Sequence, residues 1–271
     1  MKTLLTSLCL TIAVLLVSVG NSESADFQKG FAAYNSGDYA TALREWEPLA
    51  QQGDANAQSN LGQMYRQGKG VPQDDKTAVK WYTLAAKQGI APAQSNLGMM
   101  YDKGQGVPQN KKTAVKWYTL AAEQEHANAQ YNLGQMYRKG DGVPQDYKTA
   151  VKWYSLAAKQ GNAVAQYNLG TMYDNGWGVP KDDKTAVKWY RLAAEQGHAS
   201  AQSNLGVMYA FGKGVLKDYV YAHMWYNIAA SSGNKKAVKN RDIVAKRMTP
   251  SQIETAQKLA RECVRKKYKG C

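Results

Sequence analysis

The sequence predicts an all-α chain, an α-solenoid of stacked antiparallel helix pairs. Three observations carry that expectation. The stretch "GQGVPQNKKTAVKWYTLAAEQ", Gly104 to Gln124, recurs in near copy from Gly68, Gly140 and Gly176. Leu61, Leu97, Leu133, Leu169 and Leu205 fall on a step of 36 residues, and the glycine after each keeps the same step. Within each copy the apolar positions follow helical spacing on two successive segments. A helix pair that cannot cover both of its faces buries them by stacking on its neighbours, so the copies share one continuous core.

Taken in order, residues 1–20 read as an export signal. Lys2 precedes the uncharged apolar run "LLTSLCLTIAVLLVSV", and polar "GNSESAD" follows with no basic cluster. Cys9 lies inside that run, whereas a lipid-bearing cysteine would follow it. An exported chain belongs in the periplasm or outside the cell. Residues 26–53 form an N-terminal helix pair in which Tyr34 to Gly37 matches Tyr65 to Gly68, five residues short of the period.

Residues 54–234 hold five full units. In the first helix Ala57, Leu61, Met64 and Tyr65 make one apolar stripe. Gly62 inside that helix costs about 1 kcal/mol against Ala; its recurrence five times predicts a helix crossing too close for a β-carbon. Gly68 and Gly70 end the helix and form a loop that leaves through Val71-Pro72. Asp74, with Asn110, Asp146, Asp182 and Asp218 in the other units, is placed to cap the second helix. That helix buries Ala78, Trp81, Tyr82 and Ala85, and Gly89 supplies a left-handed stop. Asn60, Asn96, Asn132, Asn168 and Asn204 read as buried amides that satisfy backbone groups between helices. Glu125 stands where the stop glycine should be, so that helix end extends or strains. Leu216 replaces the loop proline, and Tyr221, Ala222 and His223 break the Lys-Thr-Ala-Val-Lys string, so the fifth unit reads as a transition to a cap. Residues 235–271 are basic capping helices, with Thr249 placed as a cap and Pro250 at the first helical position. Cys263 and Cys271 would close a small loop in an oxidising compartment or stand as free thiols.

These residues carry a resemblance. "AQSNLGQMYRQGKGVPQDDKTAVKWYTLAAKQG" resembles the Sel1-like repeat, a relative of the tetratricopeptide repeat with a longer Gly-rich loop, and the likeness extends over residues 54–234. "GFAAYNSGDYATALREWEPLAQQG" resembles a tetratricopeptide unit. "RMTPSQIETAQKLAREC" looks like the terminal helix that often follows bacterial Sel1-like arrays. The resemblance implies a superhelix whose first helices line a concave groove holding a protein or peptide.

Near-identical copies make their differences informative. Along the first helix, one position reads Ser59, Ser95, Tyr131, Tyr167 and Ser203; the next reads Gln63, Met99, Gln135, Thr171 and Val207; the third reads Arg66, Asp102, Arg138, Asp174 and Ala210. These are the groove candidates, with Tyr131 and Tyr167 as neighbouring aromatic anchors. The Arg/Asp alternation either offers charged hydrogen bonds to a ligand or pairs across successive repeats. Trp177, in the loop, is a contact site or packs on its own loop.

Net charge is +14, and residues 235–271 hold twelve Lys or Arg against three Asp or Glu. A basic tail ordinarily suggests nucleic acid. The export signal turns the expectation to peptidoglycan, another anionic envelope polymer or lipid head groups, and no nucleic acid. Nothing predicts a transmembrane span in the body of the chain, a cofactor or a metal. His126 and His198 occupy a turn position where other units have Ile90 and Asn162, so they read as surface residues, and His223 as a packing residue. The expectation is a non-catalytic scaffold. An enzymatic alternative comes from cysteine-rich secreted relatives linked with β-lactam binding or hydrolysis. Ser232-Gly233-Asn234-Lys235 matches Ser-x-x-Lys formally, but the accompanying Ser-Asp-Asn and Lys-Thr-Gly elements are missing and the repeats carry no cysteine.

Overall fold

The computed structural model describes residues 25–271; the predicted export signal at residues 1–20 lies outside the described residues. The described residues form fourteen helices and no strand. The N-terminal pair is α1 (Phe27–Ser36) and α2 (Tyr39–Gln51). Five repeat pairs follow: α3 (Ala55–Gln67) with α4 (Asp75–Lys87), α5 (Ala91–Lys103) with α6 (Lys111–Glu123), and α7 (Ala127–Lys139) with α8 (Tyr147–Lys159). The last two are α9 (Ala163–Asn175) with α10 (Asp183–Ala194) and α11 (Ala199–Phe211) with α12 (Tyr219–Ser231). Helices α13 (Lys235–Ala245) and α14 (Pro250–Arg265) close the array. Each first helix packs on its own second helix, each second helix packs on the next first helix, and α14 folds back on α12.

The predicted caps form. Asp74 accepts from the backbone of Lys76 and Thr77, and Asn110, Asp146, Asp182 and Asp218 do the same work in their units. Thr249 and Gln252 make a reciprocal capping box at the start of α14. Each first helix ends on a left-handed glycine, as Gly68 and Gly104 show.

The glycine inside the first helix is a contact surface. A β-carbon on Gly98 would lie 2.8 Å from Cδ1 of Tyr118, and the same clash recurs between Gly62 and Tyr82, Gly134 and Tyr154, Gly170 and Tyr190, and Gly206 and Tyr226. Those five tyrosines are fully buried, each ring lying flat over its glycine's bare backbone. Trp81, Trp117, Trp153 and Trp189 are half-buried rather than core residues of their own unit. Each leans on the apolar cluster that the preceding second helix forms with the first helix of its own unit.

The second loop glycine joins units too. A β-carbon on Gly106 would fall 2.3 Å from the Asp75 carbonyl oxygen, so the loop after α5 sits on the start of α4. Loops in the other units sit in the same way on Tyr39, Lys111, Tyr147 and Asp183.

The buried amide between helices is Gln58, not the Asn60 predicted for that role. Gln58 Nε2 donates to the Ala50 carbonyl at 3.0 Å, and its Oε1 accepts from Gln88 Nε2 at 2.8 Å. Gln94, Gln130 and Gln166 repeat both bonds. Each such glutamine ties the end of the preceding second helix to both helices of its own unit. Asn60 and its equivalents are only half-buried because two helical steps turn them off that seam.

Glu125, where other units have glycine, adopts φ 61. It therefore strains rather than extending the helix. Two outcomes follow in urea denaturation. Glu125→Gly should stabilise the array by about 1 kcal/mol by relieving the left-handed strain, and an unchanged midpoint would remove that argument. Gly98→Ala should destabilise it by about 1–2 kcal/mol, overpacking against Tyr118 outweighing the gain in helix propensity; a more stable variant would mean the ring can move aside.

Candidate functional site

The first helices α3, α5, α7 and α9 together present a hollow of about 450 Å³. Its lining includes Gln63 of α3, Ser95, Asn96 and Met99 of α5, and Tyr131 and Asn132 of α7. Pro92, His126, Asn128, Asn162 and Val164 complete the wall, so no Asp, Glu, Lys or Arg lines it. Neither Asn96 nor Asn132 makes a side-chain hydrogen bond to the described residues, leaving both amides open to the hollow as donor and acceptor. Sequence reasoning assigned these asparagines to the interior. The signal for their true place was the interval to the glutamine two residues earlier, which takes the buried seam.

The sequence-predicted groove residues divide. Gln63, Ser95 and Tyr131 come together in the hollow. Ser59 and Ser95 are both buried, because this position turns toward the core and only a longer side chain reaches out. Tyr131 does reach out, and Gln135 Nε2 donates to its hydroxyl at 2.7 Å. Tyr167 does not join it: its ring stacks on the His198 imidazole at 4.7 Å, while both tyrosines lie tilted against a core ring, Tyr131 on Tyr154 at 6.1 Å and Tyr167 on Tyr190 at 6.0 Å. The predicted neighbouring pair is thus split, Tyr131 lining the hollow and Tyr167 packing on His198.

Arg66, Asp102, Arg138 and Asp174 do not pair with one another across repeats, as one alternative had it. Three of them engage their own unit. Asp102 holds Lys111, Arg138 Nε donates to Gln135 at 3.0 Å, and Tyr190 donates to Asp174 at 3.4 Å. Arg66 Nε and the Tyr82 hydroxyl lie buried without a hydrogen-bond partner among the described residues. Burial pushes the Tyr82 phenol up to about 12, against the pull of the nearby Arg66 charge. It pushes Tyr118, Tyr154 and Tyr190 up further. These phenols stay protonated near neutral pH, and those of Tyr154 and Tyr190 serve as donors.

Trp177 is 38% exposed, yet it packs neither free nor on its own loop. It stacks at 5.7 Å on Tyr147, the first residue of α8 in the preceding unit. His126 and His198 are not simple turn residues either. Nδ1 of each caps its first helix, accepting from Ala129 N at 3.3 Å and Ala201 N at 3.2 Å. Asn162 caps through its amide, while Ile90 offers no side-chain cap. Cys263 and Cys271 are disulfide-bonded, holding the last residues on α14. Ser232 is the C-cap of α12 and Lys235 opens α13, with left-handed Gly233 between them. That splits the Ser-x-x-Lys pattern across two helices. Among the described residues no His, Cys, Asp and Glu cluster could hold a metal, and no helix is long and apolar enough to cross a membrane.

A family model described as "Sel1 repeat" matches residues 55–90, 91–126, 127–162, 163–198 and 199–234. A crystal structure of a Sel1 repeat protein from Oxalobacter formigenes is 36% identical, covering 87% of this chain and 96% of its own, with a TM-score of 0.76. The Pseudomonas aeruginosa protein PA5086 is 21% identical over 76% of this chain and 82% of its own, at a TM-score of 0.50, a likeness of fold. Among curated proteins none matches significantly.

Burial lowers the pKa of His126, His198 and His223. The neutral caps therefore stabilise the fold above the unfolded imidazole value of about 6.5, and that stability is lost as pH falls below it toward the folded value. The melting temperature should drop across this window, and the double change His126→Asn and His198→Asn, which keeps a cap as Asn162 does, should flatten the drop. An identical pH profile for the double variant would show that these caps do not titrate with unfolding.

Proposed function

Because the chain belongs to the Sel1 repeat family, whose members are generally protein-interaction scaffolds, we propose that it is a non-catalytic exported scaffold holding a peptide segment of a partner across its first helices. The observation that carries this reading is the uncharged hollow over α3, α5, α7 and α9. Its open amides at Asn96 and Asn132 match the alternating donors and acceptors of an extended main chain. Tyr131 supplies a rigid aromatic contact with few torsions to immobilise. A segment lying there needs no charge of its own, since no ion pair would compensate one. The export signal read in residues 1–20 supports a periplasmic or secreted setting. Neither the fold nor the comparisons support peptidoglycan as the partner.

The test is site-specific photocrosslinking in cells, with the crosslinker at Tyr131 and, as a control, at Lys116 on the exposed side of α6. A partner captured at Tyr131 alone would then be titrated against variants. Tyr131→Ser, the residue Ser95 supplies in the neighbouring unit, should weaken binding by more than about 1 kcal/mol, while Tyr167→Ser should leave it near wild type. Equal capture at both sites, or an unaffected Tyr131→Ser, would rule the hollow out.

A further inference from the structure

One surface of the fifth unit breaks with the other four. The residue ending the first helix is Gln67, Lys103, Lys139 or Asn175 elsewhere, and Phe211 here, 69% exposed. The loop residue is Pro72, Pro108, Pro144 or Pro180 elsewhere, and Leu216 here, 90% exposed. The residue before the second cap is Gln73, Gln109, Gln145 or Lys181 elsewhere, and Lys217 here. Four copies of the same fold dispense with apolar side chains at 211 and 216, so packing does not require them.

Phe211 and Leu216 flank one short loop, and Gly212 lies against Lys217. Phe211 shares a shallow hollow of about 140 Å³ with Tyr219, Arg247 and Ile243, the last 54% exposed on α13. Cations frame this apolar patch. Lys217 Nζ stands 4.9 Å over the Tyr219 ring, and Arg247 donates to the Tyr219 hydroxyl at 3.1 Å. The hydrogen bond from Lys217, with that from Arg247, lowers the Tyr219 phenol's pKa. On α13, Lys235, Lys236 and Lys239 add charge, and the single acid of that helix, Asp242, is taken by Arg241 at 2.9 Å. The position of Tyr219 explains the opening. In every earlier unit the first residue of the second helix lies under the next unit's Gly-rich loop, whereas after α12 only the turn between α13 and α14 reaches it, through Arg247 and Met248, and Tyr219 stays half-buried at the hollow's edge.

We propose that this end of the solenoid docks on the surface of an anionic lipid bilayer, with Phe211, Leu216 and Ile243 entering the boundary between head groups and acyl chains and the surrounding Lys and Arg meeting lipid phosphates. An apolar tip ringed by long cationic side chains suits that interface, where the stems lie along the acyl region and the charges reach back to phosphate. Protein interfaces are depleted in lysine, which argues against a protein occupant. A second copy would bring like charge against like. The hollow is lined by the first four units and the patch by the fifth unit and α13, so the two surfaces share no residue and can act together.

The test is co-sedimentation of the purified protein with vesicles of phosphatidylcholine alone and of equimolar phosphatidylcholine and phosphatidylglycerol, at low and high salt. Binding should appear only with phosphatidylglycerol and weaken as salt rises. Phe211→Asn with Leu216→Pro restores residues used by other units and should weaken that binding about tenfold or more at an unchanged melting temperature. Lys213→Gln with Lys217→Gln, as at Gln105 and Gln109, should weaken it about fivefold per lysine. Absence of binding to either vesicle overturns the proposal. So does wild-type binding by the Phe211/Leu216 variant, which would leave only the chain's general charge, and so does loss of self-association in that variant with vesicle binding intact, which would make a second copy the occupant.

Discussion

The architecture rests on a tyrosine ring lying on a bare glycine. In each repeat the second helix can approach the first only because no side chain occupies position 62, 98, 134, 170 or 206. The glycine's helix-propensity cost is offset by a fully buried aromatic ring, worth several times as much in apolar area removed from water. The contact also decides where the ring's hydroxyl ends up. Tyr154 Oη donates to Gln135 at 2.9 Å and Tyr190 Oη to Thr171 at 3.3 Å, so invariant core tyrosines touch the residues that differ between units. Gln135, which also donates to the Tyr131 hydroxyl, therefore links a core ring to the hollow's wall, and a change at position 135 or 171 is felt by the core.

Helix order, caps and the close crossing were legible because each follows from local chemistry at a fixed period. What was not legible was which polar residue of "AQSNLG" faces the seam. Gln and Asn differ by one methylene, and either could be a buried amide on composition. The decision is geometric: Gln58 follows Ala57 by a step of about 100° and so shares its buried side, whereas Asn60 is rotated away by two further steps. The extra reach of glutamine also lets Nε2 contact a carbonyl eight residues back, as Gln94 does with Ala86 at 3.1 Å. Asparagine's shorter arm leaves its amide at the surface, and there it becomes part of the candidate site.

The variable positions were found by comparing copies, but that comparison cannot say which way a substituted side chain turns. Tyr131 and Tyr167 occupy the same register and differ in fate because of the residue that caps the following helix. His198 offers Tyr167 a flat partner, while Asn162 next to Tyr131 is too small and polar to stack. Trp177 shows the same effect. A loop tryptophan reads as a contact residue until the preceding unit supplies Tyr147 at the spot where Gly178 docks. In both cases the deciding partner lies one repeat away, about a full period off in sequence.

The end of the array shows what stacking does by showing where it stops. Gln88, Gln124, Gln160 and Gln196 each complete the clamp of their unit, but the fifth carries Ser232, too short to reach, and Gln202 Oε1 is left buried without a partner. The unit gives up one clamp bond and instead buries Trp225 and Ile228 in one cluster with α10, α11 and α14. Hydrophobic burial there replaces the hydrogen-bonded joint that propagates the array, so the fifth unit is a terminus by construction. A terminus has no following Gly-rich loop to cover the start of its second helix. The half-buried Tyr219 and the shallow hollow beside it are thus a consequence of ending the repeat, and Phe211 and Leu216 are the substitutions this chain has placed there.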